Sequence, residues 1–272
     1  MLGADLAFAL MAAAAKFTGK HVGAAEIVFV RSLLSSIALL GVLRKNGVPL
    51  RANEPALLWT RGLVGYVALQ CYFWAIPQLP LGTAVMLNYT APIFAVILSF
   101  FVLREKPPLA FKLSLLISFF GVYLLCSPQL AGKGAALGAA LVSGLGAGSV
   151  HVMIRQGRKS DSPLLMIFYF TLSATAGAGV LLFKTGWTNP SPAEWAGLLL
   201  ITMSSFIGQL CLTHALQKAP VWAVAPFGYF APLFSLALGM IFWGEKPSAA
   251  NLIGGAVVIF CGVILLKKYS RT

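Results

Sequence analysis

Residues 71–107 read CYFWAIPQLPLGTAVMLNYTAPIFAVILSFFVLREKP, and residues 211–247 read CLTHALQKAPVWAVAPFGYFAPLFSLALGMIFWGEKP. Sliding the chain by 140 residues lays Cys71 on Cys211, Ala75 on Ala215, Pro80 on Pro220 and Tyr89 on Tyr229. It also lays Ala91 on Ala231, Pro92 on Pro232, Phe94 on Phe234, and Glu105-Lys106-Pro107 on Glu245-Lys246-Pro247. The chain therefore contains one unit twice, with the units predicted over 1–130 and 131–272.

Each copy is strongly apolar. The 272 residues are 59% hydrophobic and only 10% charged, with mean hydropathy +0.87, whereas soluble domains carry about 25% charged residues. A bilayer-spanning helix needs roughly 20 apolar residues. Apolar runs bounded by Pro, Gly and charge predict ten spans near 3–20, 27–43, 56–76, 82–103, 109–127, 134–154, 163–183, 193–216, 221–243 and 250–266. The remaining loops are too short to hold a soluble domain. The first span is expected to target the chain itself, because no short cleavable signal with a basic start precedes it.

Net charge is +13, but the basic residues occupy gaps between apolar runs instead of forming a nucleic-acid-binding face. Placing both termini in the cytoplasm puts Arg44, Lys45, Arg51, Arg104, Lys106, Lys112, Arg155, Arg158, Lys159, Lys218, Lys267, Lys268 and Arg271 inside. Only Lys20, Lys133, Lys184 and Lys246 then fall outside, as the cytoplasmic enrichment of Lys and Arg requires. Five spans per unit is an odd number, so equivalent helices must cross in opposite directions. The predicted fold is all-α: ten transmembrane helices in two inverted-topology repeats around a central cavity, an architecture of secondary transporters.

The pattern Arg61-Gly62-Leu63, Ala75-Ile76, Leu79-Pro80-Leu81-Gly82-Thr83-Ala84, Tyr89-x-x-Pro92-Ile93-Phe94, Arg104-Glu105-Lys106-Pro107 and Gly121-Val122 resembles the drug/metabolite transporter superfamily, in particular its EamA-type ten-helix exporters. The second copy, with Ala219-Pro220, Pro232-Leu233-Phe234, Gly244-Glu245-Lys246 and Gly262-Val263, resembles the same module. The resemblance implies a cavity formed largely by helices 1, 3, 4, 6, 8 and 9 and a secondary active transporter. It does not name the cargo, which must come from the site.

Pro92 and Pro232 fall mid-helix, where proline frees the carbonyl four residues back, here that of Asn88 or Gly228. Both are expected to act as hinges facing the cavity. Tyr66, Gln70 and Trp74 on helix 3, Ser205, Gln209 and Thr213 on helix 8, and Ser143, Ala147 and His151 on helix 6 form stripes at four-residue spacing. With His214, Asn88, Tyr89 and Tyr229 they suggest a mixed polar and aromatic lining. Lys16 is a further candidate, either in the pathway or paired with Glu26. Arg31 and Arg61 are expected to snorkel to the interface. All the acidic residues, Asp5, Glu26, Glu54, Glu105, Asp161, Glu194 and Glu245, read as span ends. That leaves no carboxylate at mid-depth and favours a zwitterionic, neutral or anionic cargo, with an amino acid first and export the expected direction. His151 and His214 are the available proton carriers. Glu105 and Glu245 end helices 4 and 9 on opposite membrane faces and are candidate gate latches.

Gly134-x-x-x-Gly138 and Gly144-x-x-x-Gly148 allow close helix approach. Cys71, Cys126, Cys211 and Cys261 read as packing residues, without the spacing of a metal or disulfide site. No metal or cofactor is expected, and the expected state is a monomer or homodimer in a bacterial-type inner membrane. An integral-membrane enzyme is the alternative; His21 and Glu26 lie close in sequence but have no nucleophile, metal cluster or phosphate loop beside them. A channel lacks visible filter motifs or charge rings, and a drug or nucleotide-derivative carrier would share the fold.

Overall fold

The computed structural model describes residues 1–104, 109, 113, 116–117, 120–121, 123–124, 133–225, 228 and 230–269, and every regular element among them is a helix. The chain runs through α1 (Leu2–Thr18), α2 (Ala24–Lys45), α3 (Pro55–Ala75), α4 (Leu81–Asn88) and α5 (Ala91–Val102). The second half holds α6 (Gly134–Gln156), α7 (Pro163–Thr185), α8 (Pro192–Lys218), a single turn at Val221–Val224, α9 (Phe230–Trp243) and α10 (Ala249–Tyr269). The expected fifth span, together with Glu105, Cys126 and Tyr229, lies wholly or mostly outside the described residues. Among the described residues, five segments are long and apolar enough to cross a membrane: Ala24–Lys45, Leu81–Val102, Gly134–Lys159, Pro163–Thr185 and Pro192–Lys218.

Helix starts follow local chemistry. Pro55, Pro163 and Pro192 sit in first turns, where the missing N–H costs nothing. Ser162 accepts the Leu165 N–H at 3.2 Å. Ser191 and Glu194 form a capping box, with Ser191 N–H donating to Glu194 Oε2 at 2.7 Å.

Span 4 departs from the kinked continuous helix expected over 82–103. It breaks at Tyr89-Thr90, and Pro92 lies in the first turn of α5. Proline at that place removes a donor, and its ring displaces the carbonyl four residues earlier. Next to it, Thr90 donates its hydroxyl to the Leu87 carbonyl at 2.8 Å. The break is held by α6: a Cβ on Gly144 would come within 2.9 Å of Leu87 O, and one on Gly148 within 2.7 Å of Ala91 O. This glycine pair therefore packs internally. Gly134 and Gly138 meet nothing within 4 Å, so the other GxxxG motif makes no such contact. Span 9 is also interrupted, with a turn at Val221–Val224 followed by α9, in whose first turn Pro232 is buried.

The halves interleave. α1 packs on α8, α3 on α6, α2 on α7, α4 on α9, α5 on α6 and α1 on α9. The core formed between them is apolar and small-residue-rich: Ala12, Ala15, Phe73, Leu87, Ala140, Ala174 and Ile201 are all within it.

Candidate functional site

A cavity of about 130 Å³ lies between the two halves. Its walls come from α1 (Asp5, Phe8, Met11), α3 (Arg61, Gly65, Ala68, Tyr72), the α4–α5 break (Asn88, Tyr89, Pro92), α6 (Ala147, Val150, His151), α7 (Phe170), α8 (Gln209, Leu212, Leu216) and the interrupted span 9 (Val221, Val224, Gly228). Broken helices are where transporter folds place substrate, because the interruption exposes backbone groups beside a cavity.

Of the residues singled out by sequence, Asn88, Tyr89, Pro92, His151 and Gln209 reach this lining. Asn88 donates to Ser143 Oγ at 2.8 Å, which ties the break to α6. Gln70 is half-buried and outside the lining. Trp74 is 44% exposed and His214 is also exposed, so the stripe read along Tyr66, Gln70 and Trp74 has the wrong phase. The cavity face of α3 is instead Arg61, Gly65, Ala68 and Tyr72, also at helical spacing. Its small residues were the available signal, since they leave room where bulky neighbours fill it.

Two charged residues enter the site unexpectedly. Asp5, expected at a span end, is 1% exposed and lines the cavity, and its Oδ2 has no hydrogen-bond partner. Arg61, expected to snorkel, is 2% exposed. Its Nη1 donates to the Met166 carbonyl at 2.6 Å, its guanidinium carbon stands 4.9 Å from the centroid of Phe170, and Nε and Nη2 lack partners. Arg31, equally buried, faces the same ring at 5.6 Å. These side chains turn inward because the aromatic face between α2, α3 and α7 offers a cation–π partner that a hydrocarbon-facing rotamer lacks. A carboxylate therefore stands in the cavity wall, although it lies in the first turn of α1, at the span end the sequence assigned to it.

Lys16 lies elsewhere. Its Nζ donates to the Leu79 carbonyl at 2.5 Å and pairs with Glu245 Oε1 at 2.7 Å. The Glu245 carboxylate also accepts the Leu81 N–H, at 2.9 Å to Oε1 and 2.7 Å to Oε2. An anion at the first amide of α4 satisfies an otherwise orphaned donor and complements the helix dipole. Gly244, at φ 59°, supplies the left-handed turn that brings Glu245 back to this position. Glu26, the other candidate partner of Lys16, instead accepts from the Thr188 hydroxyl at 2.6 Å. The Lys16–Glu245–Leu81 knot joins the first half to the second at the end of α1 opposite Asp5.

The sequence profile of the EamA-like transporter family matches residues 1–127 and 134–267. The chain is 30% identical over 265 residues to the pseudopaline exporter CntI of Pseudomonas aeruginosa, covering 97% of this chain and 93% of the relative. It is 28% identical to an uncharacterized transporter of Helicobacter pylori, covering 98% and 92%. It is 22% identical to an S-adenosylmethionine uptake transporter of Rickettsia prowazekii, covering 94% and 87%. A crystal structure with 18% sequence identity superposes with TM-score 0.77 over 99% of this chain and 96% of its own, which supports the fold. The chain belongs to the EamA-like transporter family of the drug/metabolite transporter superfamily, and is an integral membrane transporter of small molecules, not an enzyme.

Proposed function

We propose that this chain is a secondary carrier that moves a small organic metabolite across a bacterial-type cytoplasmic membrane by alternating access, using two inverted five-helix repeats over 1–130 and 131–272. The observation that carries the reading is the pairing of a cavity near one end of the bundle with a closed knot at the other. Both are built from the two halves together. The packing supports a two-fold relation, since exchanging equivalent helices of the repeats turns the α1–α8 contact into α6–α3, returns α2–α7 to itself and turns α1–α9 into α6–α5.

With both termini cytoplasmic, as the Lys and Arg distribution favours, the Asp5 end faces the cytoplasm and the Glu245 knot seals the outer face. The structure then corresponds to an inward-facing state. Glu105 holds the repeat-equivalent position at the inner face and acts there when the carrier opens outward. Pro92 and Pro232 mark the interruptions about which the half-helices tilt. Asn88, Tyr89, His151 and Gln209 contact cargo, with Tyr229 the repeat mate of Tyr89. Lys16 serves the outer seal.

An amino acid or related zwitterion is the cargo the lining suits best: aromatic and aliphatic walls, amide groups and few fixed charges. One relative is named an exporter and another an uptake transporter; export is the direction taken here. Counterflow in proteoliposomes tests the reading. Labelled amino acid should accumulate transiently against unlabelled amino acid trapped inside, with saturation. Conductance without saturation would indicate a channel and refute it, and preference for organic anions would replace the cargo.

A further inference from the structure

Two side chains in the cavity wall are almost completely buried, carry opposite charge, and are not paired with each other. Among the described residues the ion pair within 4.0 Å is Lys16–Glu245, so Asp5 and Arg61 form none. Burying an unpaired charge is costly, and in membrane proteins such residues mark pathways.

Arg61 is held in a particular way. Nη1 is spent on the Met166 carbonyl and Phe170 stacks against the guanidinium. The unpartnered nitrogens are Nε and Nη2, which share one edge of the guanidinium and donate in parallel. That edge matches the two oxygens of a carboxylate as a bidentate fork. Asp5 Oδ2, unpartnered on α1, is an acceptor suited to an ammonium group. The polar groups sharing the lining are Tyr72, Asn88, Tyr89, His151, Gln209 and the Met1 residue, whose ammonium acts on Asp5 electrostatically without forming an ion pair within 4.0 Å.

We propose that Asp5 and Arg61 are the two charged poles of one binding site, so that the cavity selects cargo carrying an ammonium group and a carboxylate together. This rests on the carrier reading and assigns the residues that choose the cargo. Each pole completes its hydrogen bonding only when the cargo arrives, and a solute with one charged group leaves the other pole unpartnered. Discrimination by an unpaired buried charge is stronger than discrimination by apolar fit.

The test uses the purified full-length chain, with apolar and aromatic L-amino acids, their N-acetyl derivatives and their amides as probes. Thermal stability is read first, since a ligand that binds the folded state raises it. Free amino acids should raise the unfolding temperature, and neither derivative should. Asp5→Asn should weaken binding of free amino acids by about tenfold or more. Arg61→Lys, which keeps the charge and removes the fork, should weaken binding of the free acids by a similar factor. The proposal is overturned if N-acetyl acids or amides stabilise the wild-type chain as well as free amino acids do, if both variants bind like wild type, or if no probe acts. Counterflow separates it from the broader reading. Exchange of singly charged or neutral solutes alone removes the two-pole site and leaves the carrier standing, while absence of exchange for every solute class removes both.

Discussion

Replacing Glu245 by Gln attacks the proposed outer seal with little change in shape. The glutamate holds three contacts: two carboxylate oxygens on the Leu81 N–H at 2.9 and 2.7 Å, and the Lys16 ammonium at 2.7 Å. Glutamine keeps one carbonyl oxygen for Leu81 and loses the charge attraction, and Lys16 retains the Leu79 carbonyl. The two side chains are only 11% and 15% exposed, so solvent screens the pair incompletely. A hydrogen bond to a charged group contributes about 1.5–3 kcal/mol. Losing one such interaction from the outer-closed state alone shifts the conformational balance about 10- to 150-fold toward outer-open. The assay is alkylation by a membrane-impermeant maleimide added outside, at Val85→Cys in a chain whose native cysteines are replaced. Val85 is 1% exposed on α4, below the knot, so it reacts only when the outer half parts. Labelling should accelerate about tenfold or more in Glu245→Gln, with the unfolding temperature little changed. An unchanged labelling rate in a folded variant would refute the assignment of the knot as the outer seal.

Other perturbations reach different parts of the structure. Gly148→Val forces a side chain against the Ala91 carbonyl; overpacking of about 1–3 kcal/mol or more should lower thermal stability, whereas Gly138→Ala, with open space around it, should leave it unchanged in the same melt. Pro92→Ala restores a backbone donor at the α4–α5 break and favours a continuous helix, so counterflow should fall while membrane insertion stays normal; wild-type flux would remove the hinge role. Phe170→Leu deprives two buried guanidiniums of their ring; at about 0.5–2 kcal/mol for each cation–π contact, detergent-solubilised protein should melt at a clearly lower temperature. Trp74→Leu and His214→Leu change exposed positions and should alter initial flux by less than about twofold, consistent with surface substitutions worth under about 0.5 kcal/mol.

The parts of the molecule written in composition and spacing could be read from sequence, and the parts set by helix rotation could not. Apolar runs and punctuating prolines located the described helices, and Pro92 announced an irregularity. Whether that irregularity is a kink or a break depended on Thr90 and on the glycines of α6, which lie far away in sequence. Rotation was harder. A soluble helix shows its buried face by polarity, but α3 is apolar on both its lipid and protein sides, so the polar stripe through Gln70 and Trp74 did not point inward. Gly65 and Ala68 would have identified the inner face by size. Asp5 was concealed by its nearness to the chain start, which resembles an interface position. Arg61 was misread because snorkelling and inward stacking on Phe170 leave the same trace in one sequence.

The interleaving of halves has a consequence for how the protein is made. α1 finds its main partner in α8 and α3 finds its own in α6, so when the ribosome has finished the first unit, none of those surfaces has a place to dock. Arg31 and Arg61 face the ring of Phe170 on α7, so their aromatic partner is synthesised after both of them. The main contacts of α1 and α3 therefore form only after residues beyond Gly134 have been made.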